Sequence, residues 1–512
     1  MEQGVTIDRV RFERAQLVFE GSAARRPEPY LQSDADAGVQ IAPSFLQWQD
    51  GAFSVFFDMI TGNAGNLLPA GIWRLCCGQD AIHTPDGCDV QRDYSGGDVT
   101  YRVCAAARPG GVPELYVESA RSRRLGPKRA AFSVLRAGMR LAFAASRRFS
   151  RGCRRRVLFT SASRDSLTGN LRDIYDRMCA RGLDQQYELR FALCDCRTMA
   201  RKLFFYLRLP FLLGASGYIL LDDYHPALYQ FHYPADVEII QLWHACGAFK
   251  TVGYSRAGRP GAPDIAGVSH KCYTKAIVSG SGVRRYYAEA FGIPLSRVYA
   301  TGMPRTDQFF DPSHKRESIA RFFDRFPALT GRRILLFAPT FRGDGAGSAY
   351  YPYECIDFAA LAGYCRETGA AAVFKMHPFV REPVPIPPEY ADVLADASDL
   401  REVNDILFAA DVLITDYSSV IYEYSLLGRP MLFYTFDLAE YTASRDFYEP
   451  FESFVPGKIT RTFEELLDAL RKGSFAPSRA EAFRERNFDA ADGHATDRVI
   501  DLVFGTQSTP QS

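Results

Sequence analysis

From about residue 155 onward, short and wholly apolar runs alternate with longer stretches of helical period. "RRVLFTSAS", "YELRFALCD", "GYILLDDYH", "VEIIQLWHA", "KAIVSGS" and "RVYATGMPR" form one series. "RRILLFAPTFRGD", "AAVFKMHPFV", "DVLITDYSS" and "PMLFYTF" form a second, after Asp311. Strands that are apolar on both faces and separated by helices belong to parallel sheets covered on both sides. The pattern therefore predicts an α/β protein with two Rossmann-type domains, at residues 155–310 and 311–505. Residues 1–120 follow another rule. "VTIDRVRFE", "AQLVFEG", "FSVFFDMI", "GIWRLCC", "VTYRVCAAA" and "ELYVES" are short, often alternate with period two, and are punctuated by Gly, Pro, Asp and Asn. They predict a β-sandwich-like accessory domain.

Residues 121–154 join the two regions and contain many Arg and Lys but no Asp or Glu. Phe132, Leu135, Met139 and Phe143 recur at helical spacing, with Arg136, Arg140 and Arg147 off that stripe. An apolar face flanked by arginines suits the surface of an anionic membrane. It also suits a linker helix packed on the next domain with its arginines in water. The most apolar stretch is "LFFYLRLPFLLGASGYILL", at 203–221. Arg208 and Pro210 interrupt it and Gly214 and Gly217 mark a turn, so a buried helix followed by a strand is expected rather than a membrane span.

Composition narrows the classes. A chain of 512 residues with 47% hydrophobic and 24% charged residues is an ordinary globular protein of two or three domains. The formal net charge of +1 points to no partner class, and no nucleic-acid partner is expected. The twelve cysteines include no C-x-x-C and no zinc-like spacing with His, as expected of reduced thiols in a cytosolic protein. The charged, alternating N-terminus lacks the apolar core of a signal peptide, so export is not expected. Neither a P-loop nor a G-x-G-x-x-G fingerprint occurs, which argues against an NTPase or dehydrogenase. The only D-x-D, at Asp34 and Asp36, falls in a loop of the β-rich region, and neither a metal nor a cofactor is expected.

Doubly wound sheets bind ligands beyond the carboxyl ends of their strands. Four of the expected strand ends carry chemistry. One ends at Trp243-His244, followed by Gly247 and Lys250. A second ends at Thr340, Arg342 and Asp344, a third at Lys375 and His377, and a fourth at Asp416, Ser418 and Ser419. Two imidazoles, several cations and two hydroxyls suit a phosphate-bearing substrate. Taken singly, each has a structural reading: a hydrogen-bonding His, a surface ion pair, or a Ser that caps a helix.

"QLWHACGAFKTVGYS", "TGMPRTDQFF", "FAPTFRGD", "FKMHPFV" and "VLITDYSSVIYEYSLLGRPMLFY" together resemble the successive motifs of the CDP-glycerol:poly(glycerophosphate) glycerophosphotransferase family, the teichoic-acid primases and polymerases, including ribitol-phosphate polymerases. The resemblance covers about residues 155–490. It implies a GT-B-like fold and a CDP-glycerol or CDP-ribitol donor. It further implies transfer of the alditol phosphate to the hydroxyl end of a lipid-linked teichoic-acid-like or capsular polymer, with release of CMP. The expected place is the cytoplasmic face of a bacterial membrane, as a peripheral protein on an anionic surface; self-association into homo-oligomers stays open.

The family's two essential histidines fall on His244 and His377, and its donor-phosphate contacts on Arg342, Ser418 and Ser419. We expect His244 to act as general base. His377 would donate to a phosphate oxygen or to the leaving group, and Arg342 would offer its forked donors to the diphosphate. Lys375 and Lys250 would add charge at the strand ends where Thr340 also lies, and Glu423 would reach the donor ribose. Asp416 would repel a diphosphate, so it is expected to orient backbone or hydroxyl groups or to meet Arg342. "WHACGAFK" replaces the "WHGTP-x-K" of many glycerol members, and Glu423 replaces an Asp. The first difference lies near the acceptor and leaves the alditol open; the choice between primase and polymerase stays open as well. Rival readings are a GT-B glycosyltransferase using a nucleotide sugar, an epimerase of that fold, and a non-catalytic envelope-binding protein.

Overall fold

The computed structural model describes residues 4–121, 127–150, 155–194, 198–259, 261–343, 345, 347–400 and 403–505, without the side chains of 127–132, 134 and 444. Asp344, the side chain of Phe132 and the tail after Thr506, for which the sequence predicts disorder, lie outside the described residues. The chain divides into two compact units. One holds residues 1–244, 251–278 and 283–300; the other holds 245–250, 279–282 and 301–512.

The first unit opens with two sheets packed face to face. One has the order Phe45–Gln49, Ala52–Asp58, Gln16–Ser22, Val5–Glu13, Ile82–His83. The other runs Gln40–Ile41, Pro29–Ser33, Gly71–Cys77, Glu114–Arg121, Val99–Ala107, Cys88–Gly96. Alternate residues point inward, so Leu17, Phe19, Val55 and Phe57 from one sheet meet Leu31, Trp73, Tyr101 and Val103 from the other in a single core. This is the expected β-sandwich. A buried ion pair between Arg14 and Glu289, at 3.0 Å, ties the sandwich to the helix Arg284–Phe291.

That helix belongs to a parallel sheet ordered Glu188–Leu193, Arg156–Ser161, Tyr218–Leu221, Glu238–Gln241, Lys275–Ile277, Val298–Tyr299. In sequence terms the order is 2-1-3-4-5-6, which reverses between Arg156–Ser161 and Tyr218–Leu221, the kind of position at which doubly wound sheets bind ligands. The second unit holds another parallel sheet, ordered Leu394–Asp396, Ala370–Phe374, Arg333–Phe337, Val412–Thr415, Met431–Tyr434, Lys458–Thr460. Its reversal lies between Arg333–Phe337 and Val412–Thr415, two strands whose side chains are almost all buried.

Two expectations about helices change. The stretch at 203–221 does fold as a helix, Met199–Gly214, followed by the strand Tyr218–Leu221. The helix is not buried, however. Phe205, Leu209 and Leu213 pack inward, while Met199, Leu203, Phe204, Leu207 and Phe211 are exposed. The basic segment forms the helix Pro127–Phe149, packed against the first. Its predicted stripe does not hold together: Phe143 is buried and stacks on Phe231 at 4.7 Å, whereas Leu135 is exposed. Among the described residues no helix is long and apolar enough to cross a membrane.

Candidate active site

In the first unit the strand Glu238–Gln241 ends one turn before His244, an exposed residue at the carboxyl edge of the sheet. His244 Nδ1 lies 3.2 Å from the carbonyl oxygen of Asp222, just beyond the next strand. A carbonyl only accepts, so Nδ1 carries a proton in this contact. Around it, the Asp222 carboxylate pairs with Arg164 at 2.7 Å. Asp223 Oδ2 accepts from the hydroxyls of Ser161 and Ser163 and from the N–H groups of Ala162 and Ser163. The edge is therefore an ordered polar rim around one imidazole. Sequence reading missed Arg164, Asp222 and Asp223, although "TSASRD" and "LLDDYH" also end strands.

In the second unit the strand ends converge at the topological reversal. Asp416 Oδ1 accepts from the Thr340 N–H at 2.7 Å and from the Tyr417 N–H, which joins the loops after Arg333–Phe337 and Val412–Thr415. Asp416 Oδ2 accepts from Arg342 at 2.9 Å. Asp416 thus orients backbone groups and meets Arg342, as the sign of its charge requires.

Arg342 is a correction. Its Nε and Nη2 bind both oxygens of Asp437, at 2.6 and 3.0 Å, and Nη1 binds Asp416 and the Thr340 carbonyl oxygen. Tyr351, Tyr417, Phe436 and Tyr441 surround the guanidinium. At 8% exposed, Arg342 braces the loops with a fork that is already occupied.

A cation that sequence reading missed stands beside it. Arg445 lies 5.3 Å from the Phe341 ring centre and 5.9 Å from that of Tyr441, and one nitrogen donates to the Gly343 carbonyl at 2.8 Å. It follows a short helix, Leu438–Ser444, rather than a strand, so no strand-end rule could find it. Lys250 stands 5.2 Å from the Tyr441 ring centre. Burial, with Arg445 and Arg342 nearby, lowers its ammonium to about 7 despite the pull of Asp416. Lys375 is buried and donates to the carbonyls of Met376 and Ser398.

His377 sits among these cations. Burial, then Lys250, Lys375 and Arg445, push its imidazolium down to about 4, so the ring is neutral at pH 7. Its Nδ1 accepts from the Phe379 N–H at 3.1 Å, which leaves the proton on Nε2 as a donor.

Ser418 is half-buried and Ser419 exposed, ahead of a helix of only six residues, Val420–Ser425. So short a helix adds little dipole, and the two hydroxyls remain as its donors. Glu423 is buried with one oxygen 3.6 Å from Arg305 and the other without a hydrogen-bond partner; burial raises its carboxyl above the usual range although Arg305 opposes it. It faces protein rather than an open ribose site.

The motif that begins at Trp243 is split between the units. Gly247 to Lys250 belong to the second: Phe249 packs on Phe447 and Phe454, and a Cβ on Gly247 would fall 1.9 Å from the Tyr422 ring.

Comparison with known proteins bears on the family and the fold. A sequence profile of the CDP-Glycerol:Poly(glycerophosphate) glycerophosphotransferase family matches residues 142–505. The teichoic acid ribitol-phosphate polymerases TarL and TarK of Staphylococcus aureus (strain NCTC 8325 / PS 47) are each 46% identical over 68% of this chain. The match spans 62% of TarL and 68% of TarK, so the chain corresponds to about two thirds of these relatives. The solved structure of the wall teichoic acid polymerase TagF superposes with a TM-score of 0.55 at 16% identity, covering 74% of this chain and 98% of TagF; at that identity the likeness is one of fold, GT-B-like. The chain belongs to the CDP-glycerol:poly(glycerophosphate) glycerophosphotransferase family.

Proposed function

We propose that the protein transfers ribitol-phosphate from CDP-ribitol to a terminal hydroxyl of a lipid-linked polyol-phosphate polymer and releases CMP. The observation that carries this reading is the cluster of Lys250, Lys375 and Arg445 around a neutral His377, a setting that favours a diphosphate. The choice of ribitol over glycerol rests on the 46% identity to two ribitol-phosphate polymerases.

In the step itself the acceptor oxygen attacks the β-phosphorus in line. The bond from that phosphorus to the bridging oxygen breaks, and the bridging oxygen leaves with CMP. Such transfer depends on position and on charge stabilisation. His244 Nε2 takes the acceptor's proton. His377 Nε2–H donates to a phosphoryl oxygen, while Arg445 and Lys250 offset the charge that develops. Ser418 and Ser419 add hydroxyl donors, and Asp416 and Arg342 hold the loops that carry them. In this division of labour the first parallel sheet, with His244, serves the acceptor, and the second unit, Lys250 included, serves the donor.

The same reading places the protein on the inner surface of the membrane. The exposed row Met199, Leu203, Phe204, Leu207 and Phe211 is accompanied by exposed Arg201, Lys202 and Arg208, a composition that suits an anionic bilayer. The test is nucleotide release with CDP-ribitol, CDP-glycerol and UDP-sugars. Release of CMP from CDP-ribitol is expected; release of UDP with no CMP from either CDP-alditol would overturn the reading.

A further inference from the structure

The turn that presents His244 is strained, and two buried amides hold it. Trp243 has φ +51°, in the left-handed region where Cβ crowds the backbone carbonyl and residues other than glycine are uncommon. Asn170, from the helix Gly169–Ala180, donates through Nδ2 to the Trp243 carbonyl at 2.6 Å and reaches the Leu242 carbonyl at 3.4 Å. On the other side the Trp243 N–H donates to Gln241 Oε1 at 2.7 Å. Both peptide groups of the strained residue are thus fixed by side chains that are 0–1% exposed.

One of these amides, Gln241, also binds the neighbouring loop. Gln241 Nε2 donates to the Asp223 carbonyl at 2.9 Å and to the Tyr273 hydroxyl at 2.9 Å. His244 Nδ1 reaches the preceding carbonyl, that of Asp222. Two parallel cross-links, Gln241 to Asp223 and His244 to Asp222, therefore set one loop against the other. The Trp243 ring is buried against Phe291, 5.3 Å between centres, and stands 4.5 Å from the His244 ring. With the backbone of Trp243 held on both sides, the imidazole one residue later has its direction set before substrate arrives.

We infer that Asn170 and Gln241 are positioning residues for the transfer reaction: by clamping the left-handed Trp243 peptide they hold His244 with Nδ1 on the Asp222 carbonyl. The inference rests on the reading of His244 as general base. It assigns work to "LTGN", where Asn170 otherwise reads as an ordinary residue at the start of a helix.

The experiment compares Asn170→Ala with Val157→Ala, a cavity control in the strand Arg156–Ser161 of the same sheet. Asn170→Ala should lower kcat on the order of 100-fold, the scale of a misdirected catalytic group, while KM and Kd for CDP-ribitol stay unchanged. Val157→Ala should lose thermal stability but keep kcat. Asn170→Asp guards against failure to fold. Its activity relative to the unsubstituted protein should rise as pH falls, because a protonated carboxyl regains an O–H donor for the Trp243 carbonyl. A second readout needs no turnover: 15N NMR of the imidazole should show His244 as the Nδ1–H tautomer in the unsubstituted protein and as a tautomer mixture in Asn170→Ala. Loss of that tautomer in a protein inactive on every CDP-alditol would uphold the clamp while overturning the proposed reaction. An Asn170→Ala protein with unchanged kcat and tautomer, or a kcat loss that Val157→Ala shares, would overturn the clamp.

Discussion

Arg342 and Arg445 differ in what surrounds their charge, and that difference predicts opposite behaviour. Replacing Arg342 by Met leaves Asp416 and Asp437 buried without their partner, which costs about 3–5 kcal/mol; denaturant unfolding should show the loss. Replacing Arg445 by Ala removes a cation whose guanidinium donates to the Gly343 carbonyl and pairs with no carboxylate among the described residues. Stability should hold, and Kd for the donor should rise about tenfold, the worth of one hydrogen bond to a charged group. Lys250 adds a pH dependence. Burial lowers its ammonium to about 7, so the free protein carries that charge below neutrality and sheds it above. A diphosphate favours the charged form. Donor binding should therefore weaken as pH rises from about 6 to 8, with proton uptake on binding at the upper end, and Lys250→Met should flatten the profile. Much of this site was legible in the sequence, because strand ends in a doubly wound fold mark the ligand edge, and His244, His377, Asp416 and Ser418 all sit at such ends. Pairing was not legible. That Arg342 meets two carboxylates depends on Asp437, which follows a different strand, and that Asn170 grips Trp243 depends on a helix and a strand separated by some seventy residues.

At the scale of elements, the helix Met199–Gly214 shows how a correct pattern can carry a wrong environment. Its apolar content marked it as helical and too broken to span a bilayer, but hydropathy alone does not say which faces find partners. One face packs inward and the other is left exposed. If that face lies on a membrane, the triple substitution Leu203→Glu, Phe204→Glu, Leu207→Glu should abolish co-sedimentation with phosphatidylglycerol vesicles. Each apolar side chain lost from the bilayer forfeits about 1.5–3 kcal/mol. The melting temperature should not fall, because these side chains do not contribute to the core. Vesicle binding that survives the triple substitution would refute the docking face. The strands read from the sequence were those with enough apolar residues to show a period. Cys88–Gly96 escaped because only Tyr94 of its nine residues is buried.

The whole molecule joins three sheet systems, and the two parallel ones each bring one histidine to a ligand edge. In the proposed reaction His244, on one edge, is the proton acceptor, and His377, ringed by cations on the other, is the proton donor. The proposal of phosphoryl transfer to an alcohol rests on both residues rather than on either alone. The general architecture was legible because two series of buried strands separated by helices admit few alternatives. The division at residues 245–250 was not, because the six residues after His244 pack with the second unit while His244 stays with the first. The measurement that bears most directly on the account is mass analysis of a lipid-linked polyol-phosphate acceptor after incubation with CDP-ribitol. The unsubstituted protein should lengthen the acceptor by ribitol-phosphate units with one CMP released per unit, and His244→Ala should add none while still binding the donor. An acceptor that stays unchanged, or a His244→Ala protein that lengthens it at the unsubstituted rate, would contradict the account.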